Sequence, residues 1–466
     1  MDDTTTTAWA EQQFATVNLQ HRRRTRRLVQ SAAAIAARPE QPFNQIFDWN
    51  PLRAFYNLCD QEVATLPTIQ TPHWQRTRQA MGQHPLVLIL HDTTELDFTA
   101  HPALQDAGPI GDGRGRGFLQ HNSLAVLPQP RQVLGLAYQQ LRVRQKAPAR
   151  EHTQKRKRRR RESELWLEGI TAAGRPPQSS CWVDVGDRGS DIYEAMVAAS
   201  EAGHEFLFRV TQNREVWSSV AEDAALIGLR DYACSLPSQG SDQVDIPGRG
   251  GRPARTATVQ MTAAPVWIPA PQGTRQRWSQ PVVAAWVIHI WEVDASKGVE
   301  PLEWLLICSL ATQTLQELKA RRDWYCCRWL VEVFHHIEKN GCKEEARRFE
   351  TAARMEACLA ILSVVAVRVL QLRTALEAQP EAPAAQVAAQ DEIHVLRAVQ
   401  KLPAARLSIR EFVRGVAKLG GFLGRKHDGE PGVLTLWRGY QRLQDLVQGY
   451  QLQHSLDRDR RVSGNR

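Results

Sequence analysis

Leu86-Val87-Leu88-Ile89-Leu90-His91-Asp92-Thr93-Thr94 opens with five apolar residues in succession and runs into an acid. An apolar run this short, without the spacing of an amphipathic helix, reads as a strand buried on both faces, with Asp92 at its end. A second run of the same kind, Cys181-Trp182-Val183-Asp184-Val185-Gly186-Asp187, carries Asp187 at its end. Asp184 lies inside that strand on the opposite face, because side chains alternate along an extended chain. In open α/β sheets the carboxyl edge is where strands deliver ligating side chains. Taken singly, either aspartate fits a cap or a turn as readily as a site.

Working outward, Phe118–Leu127 and Val133–Leu141 read as strands around a turn at Pro128–Pro130. The glycine-rich segment Gly111–Gly117 leads into a strand and lacks a Gly-Lys-Ser/Thr ending, so it reads as a flexible connection and not a nucleotide loop. Glu162–Trp166 opens a helix, Ile192 and Tyr193 suggest another with Asp191 one turn inside it, and Phe206–Val210 reads as a further strand. From about residue 211 to 300, short β-like runs (Thr256–Met261, Val282–Trp291) alternate with turn clusters such as Pro247–Gly251, the pattern of a β-rich insertion. The N-terminal part reads as helical, and helices resume from Thr314 to about Leu376. Ala378–Ala389 has the composition of a linker; a last helical region is expected to about Leu452, with Asp457–Arg466 frayed. The expected organisation is a helical region over 1–75, an α/β domain over 76–377 with a β-rich insertion over about 211–300, and a helical C-terminal region over 378–466.

The chain has 466 residues, 42% hydrophobic and 23% charged, a soluble globular balance. A net charge of +9 favours a polyanionic partner, because neutralising phosphates releases counterions. Arg22-Arg23-Arg24-Thr25-Arg26-Arg27, at the head of an apolar helix, and the basic run Lys155–Arg161 each suit phosphate contact or a solvated charged surface. The eight cysteines are scattered with no Cys-x-x-Cys, so all are expected as free thiols in a reducing cytoplasm. The apolar stretch Cys358–Val367 stops at Arg368, short of the ~20 residues of a membrane span. The start Met1-Asp2-Asp3 lacks the cationic and apolar regions of a signal peptide.

Tyr325, Arg328, Glu332 and Lys339 fall at offsets that place them within about 60° of arc on one continuous helix. By itself this is also the pattern of an ion-paired surface stripe. His335 and His336 are adjacent, so they point about 100° apart and do not chelate together as an i, i+4 pair would.

Taken in order, these segments resemble the DDE transposases of bacterial insertion sequences, in the group with a Tyr-x₂-Arg-x₃-Glu-x₆-Lys signature. Tyr325, Arg328, Glu332 and Lys339 match that spacing at each defined position. His91-Asp92-Thr93-Thr94 is similar to the first-aspartate motif and Gly186–Ile192 to the second. Pro301–Leu306 is similar to the segment with the family's base-stacking tryptophan, and Leu419–Phe422 and Leu436–Tyr440 to its C-terminal region. Val333 departs from relatives that carry a second acid there, and the N-terminal region matches loosely, around Arg26–Val29.

The resemblance implies a ribonuclease H-like mixed-sheet core with a β-rich insertion and flanking helical regions, the N-terminal one over 1–75 binding DNA and the C-terminal one dimerising. It implies that Asp92, Asp187 and Glu332 hold two Mg²⁺ ions, for which Mn²⁺ substitutes, and carry catalysis. Hard, oxygen-preferring cations that keep waters and bind phosphate oxygens suit such a set. Tyr325, Arg328 and Lys339 would bind phosphate, Trp304 would hold an unstacked base, and Arg209 would support the DNA. The implied reaction is cut-and-paste transposition: end nicking, hairpin formation and opening, and strand transfer into target DNA. A nuclease or resolvase on the same fold, or a non-catalytic descendant that only binds DNA, are the competing readings.

Overall fold

The computed structural model describes the chain except residues 1–4, 146–160, 220–224, 247–253, 273–278, 296–297, 403–405, 426–427 and 464–466. The turn expected at Pro247–Gly251 and all of the basic run but Arg161 lie outside the described residues.

Five helices open the fold: α1 (Thr5–Phe14), α2 (Arg22–Ala37), α3 (Phe43–Ile46), α4 (Trp49–Cys59) and α5 (Leu66–Met81). Helix α2 carries its arginines at the start and buries Leu28, Val29, Ala32, Ile35 and Ala36 beyond them. Strands β1 (Leu86–Asp97), β2 (Gly108–Ile110), β3 (Gly115–Pro128) and β4 (Arg131–Arg142) follow, then helix α6 (Glu164–Ala173). Next come β5 (Cys181–Gly186), a short 3₁₀ turn (Arg188–Ser190), α7 (Tyr193–Ala202) and β6 (Glu205–Arg209). Of the segment expected as a flexible connection, residues 111–114 form a turn, while 115–117 already belong to β3 and pair with β2.

β1 lies at the heart of the sheet, antiparallel to β3 on one side and parallel to β5 on the other. β4 extends the sheet beyond β3, and β6 runs parallel to β5. The order β4-β3-β1-β5-β6 is therefore a mixed sheet whose parallel part ends at the carboxyl ends of β1, β5 and β6.

The sequence places Asp92 at the end of its strand; the structure places it in the middle. Pairing with β5 stops at His91↔Gly186, but pairing with β3 continues to Asp97↔Gly117, which keeps the chain extended. β-branched Thr93 and Thr94 suit that continuation. Asp191 also moves: it precedes α7, where its buried carboxylate accepts from the backbone N–H groups of Thr211 and Gln212 and pairs with Arg214.

The insertion comprises β7 (Glu215–Trp217), β8 (Leu226–Gly228), α8 (Leu229–Ser235), β9 (Gly240–Ile246), β10 (Arg255–Pro269) and β11 (Val282–Glu292), and β12 (Glu303–Cys308) follows it. It is β-rich as expected, yet it is no separate layer. β11 pairs antiparallel with β12 and β12 with β6, so the insertion continues the same sheet to twelve strands.

Helices α9 (Leu315–Cys327) and α10 (Trp329–His336) return over the sheet and pass through a π-helical turn (Ile337–Gly341) into α11 (Ala352–Ala378). The chain ends with α12 (Gln390–Gln400), α13 (Ile409–Leu419) and α14 (Val433–Ser463), so residues expected to fray extend the last helix. Helix α11 has the length and hydropathy of a membrane span, but 83% of its apolar window is buried inside this fold. Its Arg368 pairs with Glu392 on α12.

One large core joins the N-terminal helices, one face of the sheet (Leu88, Leu90, Val183, Val185) and α9–α11. Val87, Ile89 and Trp182 pack on the other face. Leu396, Phe412, Leu436, Tyr440 and Leu443 form a distinct C-terminal core. The N-terminal helices thus share the main core with the sheet.

Candidate active site

The parallel register brings two acids together. His91 stands opposite Gly186, so the next residues, Asp92 and Asp187, emerge side by side on adjacent strands. Their parity is that of Leu88, Leu90, Val183 and Val185, which directs both toward the face covered by α9–α11. Asp187 caps the 3₁₀ turn by accepting from the N–H of Gly189 at 2.8 Å, and its carbonyl accepts from the Ser190 hydroxyl at 2.6 Å. That turn needs its glycines. A Cβ on Gly186 would stand 2.4 Å from the Ser190 hydroxyl, and one on Gly189 would stand 2.6 Å from the Trp166 ring.

Glu332 comes from α10. Arg328, at the break between α9 and α10, bridges the acids: one guanidinium nitrogen donates to Asp92 Oδ2 at 3.2 Å and the other to Glu332. Burial and then the neighbouring Asp187 push the Asp92 carboxyl up to about 7, with Glu332 adding and Arg328 and the Thr93 N–H opposing. Burial works against the charge on Arg328, but Tyr325, Asp92 and Glu332 outweigh it and hold the guanidinium above its usual range.

The Tyr-Arg-Glu-Lys stripe does not lie on one continuous helix, as its spacing predicts. The helix breaks at Arg328 and widens into the π turn before Lys339. The residues nonetheless follow β1: Arg328 meets Asp92, and Lys339 donates to the Glu95 carbonyl at 2.6 Å and faces Glu345 at 3.6 Å. Within the turn the Glu338 side chain is directed inward, where its carboxyl accepts from Gln120 and Gln139. The wider turn serves both demands, an inward Glu338 and a Lys339 reaching β1.

Tyr325 is 5% exposed and meets Trp304 of β12 edge-on, with ring centroids 5.6 Å apart. Arg209 is anchored at β12, where it donates to the Glu303 carbonyl at 3.4 Å. His335 is buried against Asn122 at 2.8 Å, and burial, then Lys339 and Arg328, lower it to about 3. His336 hydrogen-bonds Asn340.

Beneath the acids lies a buried relay that periodicity alone does not reveal. Asp184 receives His91 at 2.9 Å and His204 at 2.9 Å, and His91 also meets Ser123 at 3.0 Å. Burial disfavours the Asp184 charge, yet His204 and His91 hold the carboxylate below its ordinary value. His91 directly precedes Asp92, and its bond to Asp184 ties β1 to β5 on the face opposite the acids. A polar residue inside an apolar run is the signal that marks Asp184.

The acid set is all oxygen, the donor chemistry of a hard divalent cation, and Asp92 is raised by burial first and by Asp187 second. The three carboxylates do not come within 4.8 Å of one another as a set. Among the described residues, one group of three His, Cys, Asp or Glu has ligand atoms all within 4.8 Å of one another, and it is Cys234, His289 and Glu303. The guanidinium of Arg328 stands between Asp92 and Glu332.

A mixed sheet with paired acids beyond its parallel strands, flanked by helical regions, defines an α/β protein with an acidic candidate site. The comparisons take the matter further at both ends of the chain. Residues 6–64 match a family described as transposase DNA-binding. Residues 364–459 match one described as the transposase Tn5 dimerisation domain. These two matches support a transposase that binds DNA and dimerises. Among solved structures, the chain is similar to a piggyBac transposase synaptic complex with hairpin DNA, at 8% identity and a TM-score of 0.35, over 91% of this chain and 72% of that one.

Proposed function

We propose that this protein is a cut-and-paste DNA transposase of the bacterial insertion-sequence type, with Asp92, Asp187 and Glu332 as its catalytic acids. The observation that carries the reading is the β1–β5 register, which sets Asp92 beside Asp187 on the face where Arg328 links Asp92 to Glu332. The strand order β4-β3-β1-β5-β6 supports a ribonuclease H-like core. The transposase matches at both termini support a DNA substrate engaged by a dimer.

In this reading Asp92, Asp187 and Glu332 would hold two Mg²⁺ ions, which would supply activation of the attacking oxygen and stabilisation of the leaving one. This chain's residues do the rest. Arg328 leaves its bridge between the acids for a phosphate beside the scissile bond, which it can grip with two parallel hydrogen bonds. Lys339, held at the Glu95 carbonyl, supplies a point charge further along the same groove. Trp304, backed by Tyr325, offers an aromatic face to a base that leaves the stack when the backbone bends into a hairpin. Arg209 supports the flanking strand. Nicking, hairpin formation, hairpin opening and strand transfer are each a phosphodiester displacement, so one acid set serves all of them with a changed nucleophile.

Asp187→Ala tests the assignment. Nicking, hairpin formation and joining are expected to fall at least 10³-fold, an order set by loss of a group stabilising transition-state charge, while binding to terminal-repeat DNA holds within about threefold. Retained cleavage in the purified variant overturns the acid set. Wild-type protein that cleaves without producing joined DNA is instead a nuclease or resolvase. Binding without cleavage under Mg²⁺ identifies a non-catalytic DNA-binding protein.

A further inference from the structure

Cys234 is the exposed member of the eight free cysteines, and the sequence gives no hint of its surroundings. It sits near the end of α8, which packs against β11. His289 comes from β11 and Glu303 from the start of β12, on the same face of two paired strands, where Trp291↔Glu303 and His289↔Leu305 are in register. The Cys234 Sγ, a His289 ring nitrogen and a Glu303 carboxylate oxygen all lie within 4.8 Å of one another, and His289 Nε2 stands 3.1 Å from Glu303 Oε1. The His289 ring stacks on Trp291 with centroids 4.6 Å apart and planes 24° apart, which fixes its orientation.

We propose that Cys234, His289 and Glu303 form a transition-metal site, best matched to Zn²⁺, that ties α8 to β11 and β12. Thiolate, imidazole and carboxylate together form the mixed soft and borderline donor set that takes zinc in tetrahedral geometry; a site for Mg²⁺ or Ca²⁺ would be built of oxygen. Bond lengths near 2.0–2.3 Å put tetrahedral donors roughly 3.3–3.7 Å apart, so side-chain rotation closes the remaining distance without moving a strand. Cys234 and Glu303 are exposed while His289 is buried, which leaves a fourth position on the solvent side for water.

The local electrostatics agree with this geometry. Burial lowers the His289 imidazole, which keeps it neutral and ligating. Burial and then Glu303 raise the Cys234 thiol, with Arg230 opposing, so metal binding must expel its proton, and affinity rises with pH. Arg230, 3.6 Å from Glu303 Oε2, is the cation that an incoming ion displaces from the carboxylate. The site stands apart from the acids of β1 and β5, and its softer donors separate its chemistry from theirs. Glu303 directly precedes Trp304, which faces Tyr325 on the opposite side of β12, so an ion here also stiffens the strand that carries that tryptophan.

The test uses the full chain and zinc alone. After incubation with Zn²⁺ and dialysis, wild-type protein should retain one more equivalent than Cys234→Ser or His289→Ala, with a partial loss in Glu303→Gln. Co²⁺ should give a sulfur-to-cobalt charge-transfer band that Cys234→Ser abolishes. Zinc should slow alkylation of Cys234 by at least tenfold. Equal zinc content in wild type and Cys234→Ser, or alkylation that zinc does not slow, overturns the proposal. Because Cys234 is exposed, its serine variant keeps the fold, and circular dichroism of each variant confirms that.

Discussion

Asp92 shows at the residue scale how a candidate site trades stability for chemistry. Its carboxyl is displaced from the ordinary 3.8 to about 7, so the folded protein binds a proton there that the unfolded chain releases. The sign follows: as pH rises from about 4 to about 7 the unfolded state gains relative stability, and above about 7 the full cost is present. Asp92→Asn should therefore stabilise the metal-free protein at pH 8 by about 2–4 kcal/mol, read by denaturant titration, with the gain shrinking as pH falls toward 4. A gain that is independent of pH removes the electrostatic account. Glu338 is a second such group. Burial raises its carboxyl, and Gln120 and Gln139 donate to it. Glu338→Gln is accordingly expected to leave stability at pH 8 unchanged or improved, whereas Glu338→Ala, which empties the network's centre, should cost about 2–3 kcal/mol.

Elements carry what single residues do not. The 3₁₀ turn after β5 aims Asp187 only because Gly186 and Gly189 admit Ser190 and Trp166 at distances no Cβ tolerates. Gly189→Ala should lower stability by about 1–3 kcal/mol through overpacking and reduce any cleavage with it. In a Trp166→Ala background, Gly189→Ala should cost less than it does alone, read from thermal melts of the four proteins. If the single variant melts like wild type, the turn is not under this constraint. The segment that carries Tyr325, Arg328, Glu332 and Lys339 shows where periodicity fails. A spacing argument assumes uniform 3.6-residue turns, and the break at Arg328 together with the π turn at Ile337–Gly341 violates that assumption. What survives is a row along β1, because tertiary contacts with Asp92 and Glu95 select it.

At the scale of the whole molecule, buried polar links tie together elements distant in the chain. A buried chain runs from Trp74 and Gln70 of α5 through Gln139 of β4 to Asn122 and Glu338, joining the N-terminal helices to the turn that carries Lys339. On the other side, buried Glu392 receives Arg368 of α11 together with Tyr440 and Gln444 of α14. Arg368→Met should destabilise the C-terminal helices by about 3 kcal/mol, since it leaves a buried carboxylate uncompensated, and adding Glu392→Leu should recover much of that loss. For DNA, Arg23→Ala and Arg26→Ala, both exposed at the start of α2, are each expected to weaken binding uniformly across sequences and to lower the salt slope by about one. An unchanged slope takes that helix out of the interface.

The apolar runs by themselves determined that β1, β5 and β6 exist, that the chain is helical at both ends and β-rich between, and that Asp92 and Asp187 follow buried runs, because burial on both faces leaves a local signature. Tertiary structure alone decided the rest. β1 runs past Asp92 because β3 continues to pair with it; the insertion joins the main sheet through β12↔β6 pairing; Cys234, His289 and Glu303 meet because α8 lies against β11. The physical reason is the same each time: hydrogen-bond pairing and side-chain proximity between residues distant in the chain are long-range outcomes, and no window of sequence contains them.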